Sequence, residues 1–178
     1  KNLLRSRIGK LAATLYTDES IKHLIQGYMS LNIGENTIFV ITGDHSMNID
    51  VENPLDSYHV PLIIWSPLLQ RTQHFKSVVS HLDITPSLIS LLENSYGMNK
   101  LKTVHWVSDG LDTSVGFNSQ LHNYFLRYSR EVADGVFGKK YFSVIDGEPK
   151  LYEICDSLNV RLIRDTAVTN SIIKQFRA

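Results

Sequence analysis

A run of β-branched and aromatic residues, Thr37-Ile38-Phe39-Val40-Ile41-Thr42, ends abruptly in Gly43-Asp44-His45-Ser46. A continuous run of this length and composition, bounded by turn signals, predicts a strand buried on both faces, as in parallel sheets. In open α/β sheets, ligands gather just beyond the carboxyl ends of such strands. Gly43 allows a tight exit there, and a carboxylate and an imidazole follow at once. A hard oxygen donor beside an imidazole suits a borderline divalent cation such as zinc or manganese. Neighbouring residues diverge in a regular strand, and a sharp turn after Gly43 is what would aim both at one ion. The competing reading makes Asp44 a cap for the next element and His45 a partly exposed loop residue.

Helical periodicity precedes this strand. Leu4, Ile8, Leu11 and Leu15, then Leu24, Ile25 and Tyr28, predict an amphipathic helix over about 3–31. Thr17-Asp18-Glu19 offers a break or a fresh start within it, and the turn residues of 32–36 end it. Helix, short loop and buried strand make half of a βαβ crossover, whose partner strand would precede Lys1. After a polar, turn-rich loop over 47–58, residues 60–65 predict a second buried strand, with Pro61 at its start. Asp83 or Thr85 can cap a helix with Pro86 in its first turn, ending near Asn94-Ser95.

From about Gln120 the texture changes to short strand-like runs, with Asp146-Gly147 as a hairpin signal and a terminal helix over 171–177. A short strand is also expected over 103–106. The expected division is an α/β part over 1–117 and a small antiparallel β part with a terminal helix over 118–178. A chain of 178 residues is long enough for one core plus such a subdomain. Balanced charge, 18 basic against 18 acidic residues, gives no basic stripe and argues against nucleic acid. No apolar run nears the ~20 residues of a membrane-spanning helix. The single cysteine, Cys155, rules out an internal disulfide. No signal peptide is visible, and the start at Lys1 without a methionine suggests a piece of a longer polypeptide.

Four segments in one order carry a family resemblance: Tyr16-Thr17-Asp18, Thr37 through Gly43-Asp44-His45, His59-Val60-Pro61 through Trp65, and Ser80-His81-Leu82-Asp83-Ile84-Thr85-Pro86-Ser87-Leu88. Together they resemble the C-terminal half of the sulfatase family in the alkaline phosphatase superfamily, closest to the lipoteichoic acid synthase-like branch. The tail from Lys140 to Asp156 is similar to the family's small C-terminal sheet. There Ser157 stands in place of a proline and Glu153 in place of an aspartate. The resemblance implies an α/β fold with a central sheet flanked by helices, its N-terminal part lying upstream. It further implies metal-assisted displacement on a sulfate or phosphate ester, with Asp44 and His45 as ligands of a divalent ion (manganese, calcium or zinc).

The family's nucleophile and acidic ligands lie upstream, so the expected partner is the upstream half of the same polypeptide, and this piece alone is expected to be inactive. Cys155 lacks the proline and arginine that follow a formylglycine cysteine, which makes it a core or sheet-edge residue. The full protein is expected outside the cytoplasm, periplasmic or in the cell envelope, and tethered by upstream membrane helices. Hydrolase and phosphoglycerol- or phosphoethanolamine-type transferase both fit the resemblance, and a non-catalytic interaction domain presenting the 47–58 loop is the reading from another class.

Among the other polar residues, His81 and His59 are the candidates for substrate oxygens or for supporting a ligand. His81 as a loop histidine packed on the helix start is the alternative, and His59 would lie at the end opposite the ligands if its strand runs parallel. Asp83 is read as an N-cap. His105-Trp106 could be a substrate platform, although an aromatic beside a short strand is ordinarily core. Arg71, His74 and Lys76 read as a solvated connector, His23 and His122 as surface, and Tyr124, Phe125 and Tyr128 as packing for the small sheet.

Overall fold

In the computed structural model, which describes residues 2–46, 53–117, 119–126, 132–145, 148–155 and 158–176, the N-terminal periodicity becomes one continuous helix, α1 (Asn2–Ser30). The break expected at Thr17-Asp18-Glu19 does not occur. Thr14, Thr17 and Ser20 each donate a hydroxyl to the carbonyl four residues back, at 3.1, 3.0 and 2.7 Å, so they fold onto the running helix rather than capping a new one. Glu19 pairs with Lys22 at 2.9 Å one turn on. The helix stops at Asn32, whose φ of 56° is left-handed.

Strands β1 (Phe39–Thr42) and β2 (Leu62–Trp65) follow and pair with each other, from Phe39↔Trp65 to Thr42↔Leu62. Both expectations for them need correction. The pairing is antiparallel, so β2 runs back alongside β1 in the opposite direction. Burial is partial: among the described residues this sheet has two strands, and Ile63 stays 52% exposed. The aromatic rings at its foot are packed, with Tyr28 edge-on to Phe39 at 5.6 Å and Phe39 tilted against Trp65 at 5.5 Å. Farther along α1 the expected apolar stripe finds no cover among the described residues. Leu11 and Leu15 are each 61% exposed.

The chain forms two compact units, Lys1–His45 with Val60–Thr72, and Ser46–His59 with Gln73–Ala178. The second unit holds α2 (Ile84–Ser95), which continues from a 3-10 turn at His81–Asp83. It also holds an antiparallel sheet in sequence order: β3 (Ser119–Leu126), β4 (Val132–Gly138), β5 (Lys140–Ile145), β6 (Glu148–Ile154) and β7 (Val160–Leu162). A terminal helix, α3 (Thr166–Phe176), lies against β6. The expected strand at 103–106 is irregular chain. The Asp146-Gly147 turn, residues 47–52, Tyr128, Asp156-Ser157 and Arg177 lie outside the described residues, although Ile145↔Glu148 are paired across that turn.

Period-two alternation gives the second sheet two apolar faces. Val136, Tyr141 and Tyr152 are opposite one another on one face, and Gly135, Phe142 and Leu151 on the other. The first face is closed by Leu55, which leaves the loop after β1 to join Val136, Tyr141 and Ile154 in the main core. Phe142 and Leu151 pack with Val144 and Ile163. Thus the segment 46–59, although it connects β1 to β2, packs with the C-terminal sheet. No helix among the described residues is long and apolar enough to cross a membrane.

Candidate metal-binding pair and the family of the chain

Asp44 and His45 occupy the chain just beyond β1, as the sequence pattern requires. Asp44 turns back on its successor: Oδ1 accepts the His45 N–H at 3.0 Å. The same fold of the side chain brings Oδ2 to 3.6 Å from His45 Nε2. The two side chains therefore converge instead of diverging to opposite faces. Both are open to solvent, Asp44 at 89% and His45 at 78%.

The donor chemistry fits a divalent ion. With metal bonds of ~2.0–2.2 Å, two donors of a tetrahedral ion stand roughly 3.4 Å apart, near the separation seen here. The donor count is half of what a closed site needs. Among the described residues no group of three or more His, Cys, Asp or Glu gathers around one point.

Local structure on either side of the pair fixes where the chain leaves and returns. Behind it, a Cβ on Gly43 would lie 3.4 Å from Val60, so the backbone already runs close to the start of β2. Ahead of it, Ser46 Oγ donates to the Ser57 carbonyl. Within the returning loop, Asn53 Nδ2 donates to the Leu158 carbonyl at 2.7 Å while its Oδ1 accepts the Leu55 N–H at 3.1 Å. Tyr58 stacks on Phe125 at 4.6 Å and donates its hydroxyl to Asp134 Oδ2 at 2.5 Å.

Asp134 is the polar residue that sequence reasoning missed. It is 1% exposed and accepts a second hydroxyl on the same oxygen, from Tyr141 at 2.8 Å. Burial above all pushes the Tyr141 phenol well above its usual range, with Asp134 adding to the rise and a hydrogen bond with Ser143 opposing it. No sequence motif marks these three residues, and a lone acid beside Gly135 is ordinary turn composition.

His59 and His81 belong to the second unit, Asp44 and His45 to the first, and both His59 and His81 are exposed. The condition that put His59 at the far end, a parallel β2, is not met. Since β2 is antiparallel, its first residues lie at the end where β1 finishes.

Asp83 stands at the N-cap position of α2, as expected, although its side chain does not cap that helix. Ser80 caps the 3-10 turn before it, accepting the Leu82 N–H at 3.2 Å, while Asp83 completes a capping box by accepting the Ser80 N–H at 2.5 Å and also receives the Ser108 hydroxyl. At 3% exposure and with those donors, its carboxylate is structural. The loop it holds passes so close to α2 that a Cβ on Gly110, whose φ is 111°, would sit 2.9 Å from Ser87 Oγ.

Cys155 is exposed one residue past β6, not in the core. Phe125 packs as expected, whereas the side chains of Tyr124, Tyr128 and His122 lie outside the described residues. His105 is exposed beside a half-buried Trp106, and Arg71, His74 and Lys76 are all exposed.

Neither a curated protein nor a solved structure matches the chain. A family model described as Sulfatase does match, over residues 5–95, just over half of the chain. That span holds α1 apart from its first three residues, the β1–β2 sheet and α2, with Asp44, His45, His59 and His81 on it. The chain therefore belongs to the sulfatase family.

Proposed function

We propose that this chain is the C-terminal portion of a sulfatase-like, metal-dependent enzyme that cleaves sulfate or phosphate esters, and that Asp44 and His45 hold one side of its divalent ion. The observation that carries the reading is the convergence of these two side chains to 3.6 Å at the end of a strand within the family-matched span. The other ligands and the hydroxyl nucleophile come from chain upstream of Lys1. When bound, the ion polarises the ester oxygens and activates that hydroxyl. Manganese or zinc suits the pair better than calcium, which takes six to eight oxygens and gains little from an imidazole. His81 and His59 are assigned to the substrate's oxygens.

The exposed stripe on α1 supports the upstream partner, because Leu11 and Leu15 at 61% exposure are what a further layer of the same enzyme would cover. The piece alone is inactive. The complete enzyme works outside the cytoplasm, held to a membrane by upstream helices. Its likeness to the lipoteichoic acid synthase-like branch makes phosphoglycerol or phosphoethanolamine transfer the alternative to hydrolysis.

The test is manganese binding by the full-length protein, with cleavage of an aryl sulfate and an aryl phosphodiester, before and after Asp44→Ala and His45→Ala. Each variant is expected to lose both binding and turnover. Wild-type affinity in both would reject the assignment. Release of the leaving group without water as acceptor would select the transferase.

A further inference from the structure

We propose that one end of the five-stranded sheet is a binding site for a small aromatic anion, a single ring carrying a tetrahedral oxyanion. The site is a cavity of about 210 Å³ lined by Phe137, Gly138, Lys139, Lys140, Glu153 and Ile163. All six belong to the second unit, so the inference does not rest on the metal-site reading. The turn that builds its rim is the two-residue loop Gly138-Lys139, closed by the pair Phe137↔Lys140. Gly138, at φ 58°, supplies the left-handed first position of that loop. The Lys139 carbonyl then accepts the Ile154 N–H at 2.7 Å, which ties the hairpin tip to the end of β6.

Charge gives the sign of the ligand. Phe137, Lys140, Glu153 and Arg161 stand opposite one another in turn across β4, β5, β6 and β7, so they form one row on one face. Glu153 therefore has a cation on either side, and it pairs with Arg161. Among the described residues, neither Lys140 nor Lys139 has an ion pair. The cavity thus keeps two uncompensated positive charges, since its one carboxylate is already neutralised. Lysine ammoniums on flexible stems act as point charges, which suits a rounded oxyanion better than a flat, forked one. Size and lining give the rest of the ligand. Phe137 is 42% exposed, and half-buried Ile163 continues into the Phe142–Leu151 cluster of the same face. An apolar cavity of ~150 Å³ accepts one benzene ring, whereas drug-sized ligands need ~300 Å³ or more. One ring therefore fits against Phe137 and Ile163, with its charged substituent at the lysines. A bare oxyanion would meet exposed lysines alone, which hold little by themselves.

The experiment is a fluorine NMR titration of the full-length protein with para-fluorobenzenesulfonate, beside the neutral para-fluorobenzenesulfonamide and with inorganic sulfate as competitor. The sulfonate is expected to bind with a dissociation constant on the order of 1 mM, and the sulfonamide at least about fivefold more weakly. Lys140→Glu and Phe137→Ala should each weaken the sulfonate about fivefold. Lys102→Ala, an exposed lysine outside the cavity, and Asp44→Ala should each stay within about twofold of wild type. No binding by wild type up to ~10 mM overturns the proposal. So does equal binding of sulfonate and sulfonamide, or competition by inorganic sulfate at the same concentration as the sulfonate. Loss in Lys102→Ala equal to that in Lys140→Glu would mark diffuse charge attraction and reject the site. Loss in Asp44→Ala with wild-type binding in Lys140→Glu would move the anion to the metal pair, rejecting the cavity while leaving the metal site standing. If Phe137→Ala does not fold, Lys140→Glu, a change at an exposed position, decides the matter alone.

Discussion

Replacing Asp134 with alanine should be among the most damaging single changes in the second unit. The carboxylate is 1% exposed and receives two phenolic hydroxyls on Oδ2, at 2.5 and 2.8 Å. Each hydrogen bond to a charged acceptor contributes about 1.5–3 kcal/mol. The alanine variant also leaves the fully buried Tyr141 hydroxyl with Ser143 in place of the carboxylate, whereas half-buried Tyr58 can turn to water. Re-pairing that buried hydroxyl on Ser143 alone costs a further ~0.5–1.5 kcal/mol. Against this, removing a buried charge relieves its desolvation, which offsets several kcal/mol of the total. The expected net loss is about 3 kcal/mol. Asparagine, whose carbonyl can still accept both hydroxyls but without the negative charge, should lose roughly half as much.

Native-state hydrogen exchange of the β4 and β5 amides is the suitable assay, because two compact units need not unfold together and a single melting curve would blend them. A double-mutant cycle between Asp134→Ala and Tyr141→Phe should show a coupling of at least ~1 kcal/mol. An alanine variant within about 0.5 kcal/mol of wild type, or strictly additive double mutants, would refute the account of a carboxylate shared by two phenols.

Other outcomes follow from the same packing. The Tyr141 phenol ionises at higher pH in the fold than its ordinary 10.0, so its contribution to stability is complete below pH 10 and is lost as pH rises above it. Urea midpoints should therefore fall steeply above pH 10, at up to ~1.4 kcal/mol per pH unit, and Tyr141→Phe should flatten that fall. Ser80→Ala removes the cap on the Leu82 N–H and should weaken the start of α2 by about 1 kcal/mol, read as faster exchange in its first turn; unaltered protection there would discount the capping box. Leu55→Ala should cost ~2–5 kcal/mol, while Leu15→Ser, at 61% exposure, should cost under ~1 kcal/mol in this chain and more once the upstream polypeptide is present. Equal costs with and without the upstream part would remove the argument that α1 is a covered face.

Local signals were legible where the chain decides its own conformation. The period of Ile8, Leu11 and Leu15 gave the helix, Pro86 sits in the first turn of α2, and the residues around Asp146-Gly147 are paired as a hairpin requires. Legibility failed where the outcome depends on distant chain. The apolar run at 37–42 matches a strand with neighbours on both sides, yet the partner in this chain is β2, antiparallel and one-sided. Asp83 holds the N-cap position of α2, but the capping hydroxyl comes from Ser80 three residues earlier, which reaches the Leu82 N–H ahead of the helix. The adjacency of Asp44 and His45 showed the donors but not that the carboxylate bends back over its neighbour's amide. Asp134, Tyr58 and Tyr141 are spread over more than eighty residues, and the sheet register that brings Asp134 and Tyr141 together beneath Tyr58 is not written in any short motif.

The excursion between β1 and β2 has a consequence for how the chain can be divided. Residues 46–59 fall inside the family-matched span, but their seat, the face formed by Val136, Tyr141 and Ile154, falls beyond its end at 95. A truncation drawn at the border of the match would strip Leu55 of its socket and leave Tyr58 without Phe125 and Asp134. Sequence drift on one side of that border must be answered on the other, so these two stretches should be inherited, swapped and expressed together.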